Sequence, residues 1–255
     1  HALWHAGSYD SQDFLGRLIN NAPWVRHAEK SFFHSYDHNY FATDFHVKLF
    51  FDELLLDGNN EPTNMYNEAY NNRFNNGKIV RCGWPMEYVR KELEAFKGMT
   101  KRNLILFPHR VAPEKQPEIF LDLKDTLTQY EFEICMDKNY TKQEYYNALG
   151  EAKLVFSANL QETLGISWYE GALVGTLPMV PDRLSYTEMD NTGTFLYPSE
   201  WTESFVTYKE HKDEIVARIV DYMENYNNYL VDLNKLTTQL NDNYFSCKNL
   251  LERLQ

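Results

Sequence analysis

The sequence predicts an α/β protein built on parallel sheets. Three observations carry this. The second half alternates short apolar runs with amphipathic stretches in the order βαβαβαβ. The connections are short. The runs are too continuously apolar for strands with one wet face. Elements in this order build a sheet covered by helices on both faces.

The elements follow in order along the second half. Leu104-Ile105-Leu106-Phe107, ended by Pro108, reads as a buried strand. A loop follows from His109 to Pro113. Between Glu114 and Leu127, the residues Ile119, Phe120, Leu123 and Leu127 share one helical face. Tyr130 to Met136 sets Phe132, Ile134 and Met136 against Glu131, Glu133 and Cys135, the alternation of a half-buried strand near a sheet edge. Thr141 to Ala152 is a helix with Thr141 at its N-cap. Leu154 to Phe156 is a strand, Thr163 to Val174 a helix and Leu177 to Val180 a strand. Beyond Asp182 the pattern loosens into a mostly helical stretch, Glu200 to Tyr226, and one or two more helices from Asn227 to Gln255.

The first hundred residues are less regular. Leu3-Trp4 leads into His5-Ala6-Gly7-Ser8. Asp13 to Ile19 reads as helix, Ser31-Phe32-Phe33 as strand and Phe45 to Leu55 as an amphipathic helix. Asp57 to Asn76, rich in Asn and broken by Pro62, reads as a long surface loop. Ile79 to Cys82 is a strand ended by Gly83-Trp84-Pro85, and Met86 to Phe96 is a helix. Lys97 to Lys101 is the linker, which divides the chain into domains at 1–100 and 101–255.

Composition narrows the classes of function. The chain has 255 residues, and 37 acidic against 25 basic side chains give a net charge of −12. Such acidity argues against a general nucleic-acid or anionic-membrane binder, although it leaves room for a local basic patch. Cys82, Cys135 and Cys247 are widely spaced and fit neither a metal site nor a disulfide framework, so a reducing, cytoplasmic setting is expected. Leu164 to Pro181 is apolar, but Glu170 and its Gly and Pro breaks argue against a membrane span. The chain opens on His1 and reads like the middle of a domain, so further sequence is expected before it.

Two constellations carry chemistry. Pro108-His109-Arg110-Val111-Ala112-Pro113-Glu114-Lys115-Gln116 follows the first strand of the second domain and opens a helix. Arg110 and Lys115 there stand where unpaired N–H groups and the helix dipole favour phosphate. Two fixed cations suit a diphosphate; a loop with two solvated charges is the plainer reading. The second constellation, Asn159 to Ala172, follows the third strand. Glu162 precedes its helix, Gly165 lets a ligand approach the backbone, and Thr163, Leu164 and Gly165 offer free N–H groups. Glu170, in an otherwise apolar helix, needs a partner, and sugar hydroxyls would supply one.

These motifs resemble the donor-binding domain of the retaining GT-B glycosyltransferases, the group that includes glycogen synthase and sucrose synthase. The family's helix carries two Glu separated by seven residues, then small residues and a Gly-x-Pro step. Here Glu162 and Glu170 lead into Gly175-Thr176-Leu177-Pro178, one residue longer. The family's Arg and Lys pair matches Arg110 and Lys115. The resemblance is specific from Asn103 to Asp182. It implies a GT-B type fold of two Rossmann-like domains with parallel sheets, the first one incomplete or reduced.

The resemblance also implies an activity. A hexose moves from a nucleotide-diphosphate sugar to an acceptor hydroxyl, with retention and without a metal or other cofactor. Arg110 and Lys115 bind the diphosphate. Glu162 contacts the transferred sugar, and Thr163, Leu164 and Gly165 donate N–H groups to sugar and phosphate. Glu170 takes the ribose hydroxyls, and the base lies near Met136 to Asn139. In the first domain, His5 is the candidate catalytic residue on the acceptor side, with Asp10 behind it. The family's opening strand and glycine-rich loop are not found before His5. The acceptor, whether glycan, lipid or protein, is open, and nucleic acid is disfavoured by charge. A nucleotide-sugar epimerase and a non-catalytic nucleotide-sugar-binding module stay open beside the transferase. Gly83-Trp84-Pro85 reads as structural. His34-Ser35-Tyr36-Asp37-His38, with Asp44 and His46, has the side chains for a metal site. It lacks Cys and any His-Glu-x-x-His helix, so no metal is expected.

Overall fold

The computed structural model describes residues 1–55 and 77–254. The long loop expected from Asp57 to Asn76 therefore lies outside the described residues, apart from its final neighbour Gly77. The chain divides into two compact units, residues 1–85 with 243–255, and residues 86–242. The helix Glu87–Leu93 and the stretch 97–101 both fall in the second unit, and the last residues fall in the first.

The second unit holds five parallel strands: β4 (Arg102–Phe107), β5 (Glu131–Ile134), β6 (Ala152–Phe156), β7 (Leu177–Pro181) and β8 (Leu196–Tyr197). Their spatial order is β5-β4-β6-β7-β8. The interior strand β7 is buried along its whole length, as the continuous apolar run Leu177 to Val180 requires. β5 is an edge strand, so Glu131 is exposed while Phe132 and Ile134 turn inward. The short strand β8 has no clear signal in the sequence.

The helices between the strands follow from local chemistry. The helix Lys142–Glu151 starts at a capping box: the Glu144 amide donates to Thr141 Oγ1 at 3.3 Å, and the Thr141 amide returns to Glu144 Oε2 at 2.8 Å. The helix Ile166–Leu173 buries Trp168, Tyr169, Ala172 and Leu173. It starts at Gly165, whose φ is +77°, and a Cβ there would lie 2.7 Å from Trp168 Nε1 and 2.9 Å from Tyr186 Cε1. The apolar stretch Leu164 to Pro181 is thus a short helix, a turn at Gly175 and a strand. Among the described residues, no helix is long and apolar enough to cross a membrane.

The first unit has a three-stranded parallel sheet in the order β1 (Ala2–Leu3), β2 (Asn39–Phe41) and β3 (Ile79–Arg81). Helices α1 (Phe14–Leu18), α2 (Trp24–Ser35) and α3 (Asp44–Phe50) accompany it. Its core joins Trp4, Tyr9, Phe33, Phe41, Val47, Phe50, Phe51 and Leu54. Ser31-Phe32-Phe33, expected as a strand, lies inside α2. A three-residue apolar run fits either state, and Glu29 and Phe33, four apart, set the buried face of a helix. The strand is instead β2, which opens on buried Asn39. The Trp4 indole donates to Asn39 Oδ1 at 2.9 Å, and Asn39 Nδ2 donates to the Phe33 carbonyl at 3.2 Å.

Gly165→Ala forces a side chain into left-handed backbone and against two rings. It is expected to cost about 1–3 kcal/mol of stability, measured by urea unfolding.

Candidate functional site

The strand order places the site. β5 lies on one side of β4 and β6 on the other, so the chain leaves β4 and β6 in opposite directions. In open parallel sheets this switch leaves a crevice at the strands' carboxyl ends, where ligands bind. The loops lining it here are 108–116 after β4 and 157–165 after β6, which are the two constellations singled out in the sequence.

Hydrogen bonds stitch these loops together. The Leu160 amide donates to the Glu114 carbonyl at 2.8 Å. Lys115 Nζ donates to the Gln161 carbonyl at 2.5 Å. Gln116 Nε2 donates to the carbonyls of Ala158 and Thr202, both at 2.7 Å. From the loop after β7, the Arg183 guanidinium donates to the carbonyls of Asn159 (2.7 Å), Ala158 (2.9 Å), Ser199 (2.9 Å) and Thr202 (3.1 Å). Ala158, Asn159 and Thr202 are fully buried, so their carbonyls need such donors.

The expected residues gather as follows. Arg110 has a side chain 61% exposed, and its Nη2 lies 3.0 Å from Oε1 of Glu114, which is 1% exposed. Lys115 is buried, with Nζ 3.6 Å from Glu162 Oε2. Glu162 Oε1 accepts from the amides of Thr163 (3.1 Å) and Leu164 (3.4 Å), which orders the turn before Gly165. Arg110, Lys115, Glu162 and Thr163 to Gly165 therefore occupy one crevice. Glu170 lies further along the helix Ile166–Leu173, where its Oε2 accepts from Tyr145 Oη at 2.9 Å. Burial pushes its carboxyl up to about 7, against the pull of the Tyr145 hydrogen bond and Lys142; Glu92 adds to the rise. Met136, at the position expected for the base, is exposed, and Asn139 ends that turn with φ +50°.

Four residues with structural parts in this crevice or beside Glu170 had no assigned role in the sequence. They are His109, Gln116, Tyr145 and Arg183. His109 is buried edge-on against Phe107, and its Nε2 has no hydrogen-bond partner among the described residues. Burial, with Lys115 nearby, pushes its imidazole down to about 3, so it is neutral. Its place beside Arg110 was the one available signal. Nothing in the pattern marked Arg183 or Tyr145, because their partners are 16 to 25 residues away.

His5 belongs to the first unit, at the exit of β1. Its ring meets the edge of Trp84 with centroids 4.0 Å apart, and burial lowers its pKa. Asp10, expected behind it, accepts from the Gln12 amide at 2.9 Å. Beneath this loop, Tyr9 Oη and His46 Nε2 are 2.6 Å apart, and Glu29 accepts from the Ser8 amide at 3.0 Å. Burial, with His5 adding, pushes the His46 imidazole down to about 3. The histidines of the 34–46 stretch part company: His38 bonds the Gly77 carbonyl, and His46 is buried on Tyr9. Among the described residues, no group of three or more His, Cys, Asp or Glu could hold a metal ion.

A parallel sheet with its crevice at the switch point, and a smaller parallel-sheet unit beside it in sequence, is the architecture of the GT-B type, with the first domain reduced. Solved structures share this fold. A mutant of TarM from S. aureus, in complex with fondaparinux, alpha-GlcNAc-glycerol and UDP, superposes with a TM-score of 0.59 at 12% identity, covering 99% of this chain and 49% of TarM. HepE of Anabaena, in complex with UDP and glucose, gives 0.61 at 11% identity, with 99% and 70% covered. The pneumococcal O-GlcNAc transferase GtfA, in complex with UDP and GlcNAc, gives 0.57 at 13% identity, with 99% and 51% covered. The chain thus spans about half the length of TarM and GtfA. No protein-family model matches the chain, and no curated protein sequence does.

Replacing Arg183 by Lys keeps the charge but loses the fork that serves four carbonyls. It is expected to cost ~3 kcal/mol, the scale of one or two lost charge-assisted hydrogen bonds, measured by urea unfolding. Glu170 makes stability depend on pH. The unfolded carboxyl sheds its proton near ~4.3 and the folded one only at about 7. Between these values the folded state binds the extra proton, so stability declines as pH rises. Glu170→Gln is therefore expected to melt higher than the parent at pH 8, with the difference vanishing toward pH 4 in thermal scans.

Proposed function

We propose that this chain carries the donor site of a glycosyltransferase, which moves a hexose from a nucleotide-diphosphate sugar to an acceptor hydroxyl. The observation that carries the reading is the meeting of Arg110, Lys115 and Glu162 at one crevice, on loops tied together by Gln116 and Arg183. The fold neighbours add support: TarM, HepE and GtfA were each crystallised with UDP.

In this reading, Arg110 and Lys115 neutralise the diphosphate as it leaves, with no divalent metal needed for that charge. For Arg110 to do so, its guanidinium exchanges Glu114 for phosphate oxygen. Glu162 and the Thr163 to Gly165 amides face the hexose, the Thr163 and Leu164 amides exchanging Glu162 Oε1 for a sugar or phosphate oxygen, and Glu170 takes the ribose hydroxyls. His5 serves the acceptor side, and the acceptor is a glycan, lipid or protein. Retention of configuration follows from the family resemblance, with the acceptor hydroxyl attacking from the leaving-group face. The leaving phosphate oxygen would then accept its proton.

A thermal-shift panel of UDP, GDP, ADP and dTDP and their hexose conjugates tests the reading. Ligand at ~100 times its dissociation constant adds about 2.7 kcal/mol, a readable shift. Glu170→Ala is expected to weaken nucleotide binding by roughly 1–3 kcal/mol. Ribose hydroxyls donate best to the ionised carboxylate, so affinity should rise with pH through about 7. Silence across the panel would defeat the proposal. Binding without turnover, or epimerised donor without acceptor, would select one of the two neighbouring readings.

A further inference from the structure

Glu170 needs its charge in a place that resists it, and the residues facing it share that work unevenly. The helix Lys142–Glu151 contributes Tyr145, Lys142 and Tyr146, the helix Glu87–Leu93 contributes Glu92, and Tyr169 stands beside it on its own helix. Lys142 is engaged elsewhere, with Nζ 2.6 Å from Glu92 Oε2. Tyr146 Oη donates to the same Glu92 oxygen at 3.0 Å. Lys142 first, and Tyr146 with it, hold the Glu92 carboxyl below the usual carboxylate range. Glu92 therefore stays charged and opposes the ionisation of Glu170. Tyr169 Oη donates to Asn241 Oδ1 at 2.8 Å rather than to Glu170.

Tyr145 is the remaining partner. Its Oη donates to Glu170 Oε2 at 2.9 Å, the one hydrogen bond of the Glu170 side chain among the described residues. The capping box of Thr141 and Glu144 sets where this helix begins. The Tyr145 amide donates to the Thr141 carbonyl at 2.9 Å, which holds the ring in the first turn. Burial, with Glu170 beside it, raises the phenol well above the ordinary range, so it stays a proton donor through neutral pH. Glu170 Oε1 has no partner among the described residues and is not sealed from solvent. One carboxylate oxygen is thus anchored, and the other is open to accept.

Resting on the donor-site reading, we propose that Tyr145 is a positioning residue of the nucleotide site: its phenol anchors Glu170 Oε2 and leaves Oε1 to the ribose hydroxyls. The anchor acts in two ways. It stabilises the ionised carboxylate, the form to which hydroxyls donate most strongly. It also fixes the side-chain torsions before the nucleotide arrives, which lowers the ordering cost of binding. Tyr145 acts on the nucleotide through Glu170.

Calorimetric titration of the whole chain tests this, with whichever of UDP, GDP and ADP shifts the parent most in thermal scans. Parent affinity should climb with pH around a midpoint of about 7. Tyr145→Phe keeps the ring and removes the hydroxyl, and circular dichroism verifies its fold. Its midpoint should lie about one pH unit higher, making binding about five-fold weaker at pH 7 and no more than about two-fold weaker at pH 9.5. In a Glu170→Gln background, Tyr145→Phe should change affinity by less than about two-fold. Carboxyl carbon-13 NMR of the nucleotide-free chain, with Glu170 assigned by its loss in Glu170→Gln, should show the same upward move. Equal weakening at every pH, or weakening that persists in Glu170→Gln, makes Tyr145 merely structural and overturns the proposal. Tighter binding by Tyr145→Phe also overturns it and makes the phenol a competitor of the ribose. A parent that binds none of the three nucleotides defeats the donor-site reading itself. A variant that matches a binding parent at every pH defeats the positioning role alone.

Discussion

The candidate site depends on how the buried carbonyls of Ala158, Asn159 and Thr202 are satisfied. They lie at the carboxyl end of the sheet, out of reach of any strand partner. A buried carbonyl without a donor costs as much as a lost hydrogen bond or more. Gln116 and Arg183 supply the donors from two other loops. One network thereby ties together the exits of β4, β6 and β7. Arg110, Lys115 and Glu162 keep their positions because their loops cannot separate without stranding these carbonyls.

The network is bought with backbone strain. Gln116 has φ +50°, and Leu184, next to Arg183, has φ +61°. A side chain in this region of the backbone costs about 1–2 kcal/mol, and glycine would escape that cost. Glycine at 116 would lack the amide that bonds Ala158 and Thr202. The strain thus falls where a side chain is needed, which is the pattern expected of positions over-determined by their surroundings. Gly165 shows the converse: its conformation is also left-handed, and the rings of Trp168 and Tyr186 leave no room for a Cβ.

Glu170 carries a similar tension in its charge. Its helix packs tightly against the sheet, with Gly171 set close to Val155. That packing brings the carboxylate into a place that disfavours ionisation, and Tyr145 and Lys142 compensate only in part. Optimising stability alone would put an apolar or amide side chain at this position. In the proposed donor site, the ribose hydroxyls would offset this cost.

Much of this was legible in the sequence. The parallel sheet of the second unit followed from its apolar runs, because a strand buried on both faces must be apolar throughout. Arg110, Lys115 and Glu162 were legible because residues just after such strands fall at one end of the sheet by topology alone. Gly165 was marked in the sequence as a place where a ligand approaches the backbone; what the structure shows close to it is the rings of Trp168 and Tyr186. Other features were decided only by tertiary structure. Phe32 and Phe33 belong to a helix because Phe33 reaches the core of Phe41 and Phe50, and three residues cannot encode that choice. Gln116, Tyr145 and Arg183 have parts to play because their partners lie far along the chain, beyond the range of any local pattern. The same holds for Glu170, since a residue's neighbours in sequence do not set the dielectric around it. Sequence periodicity determines which faces are buried; only the packed chain determines what each buried polar group meets there.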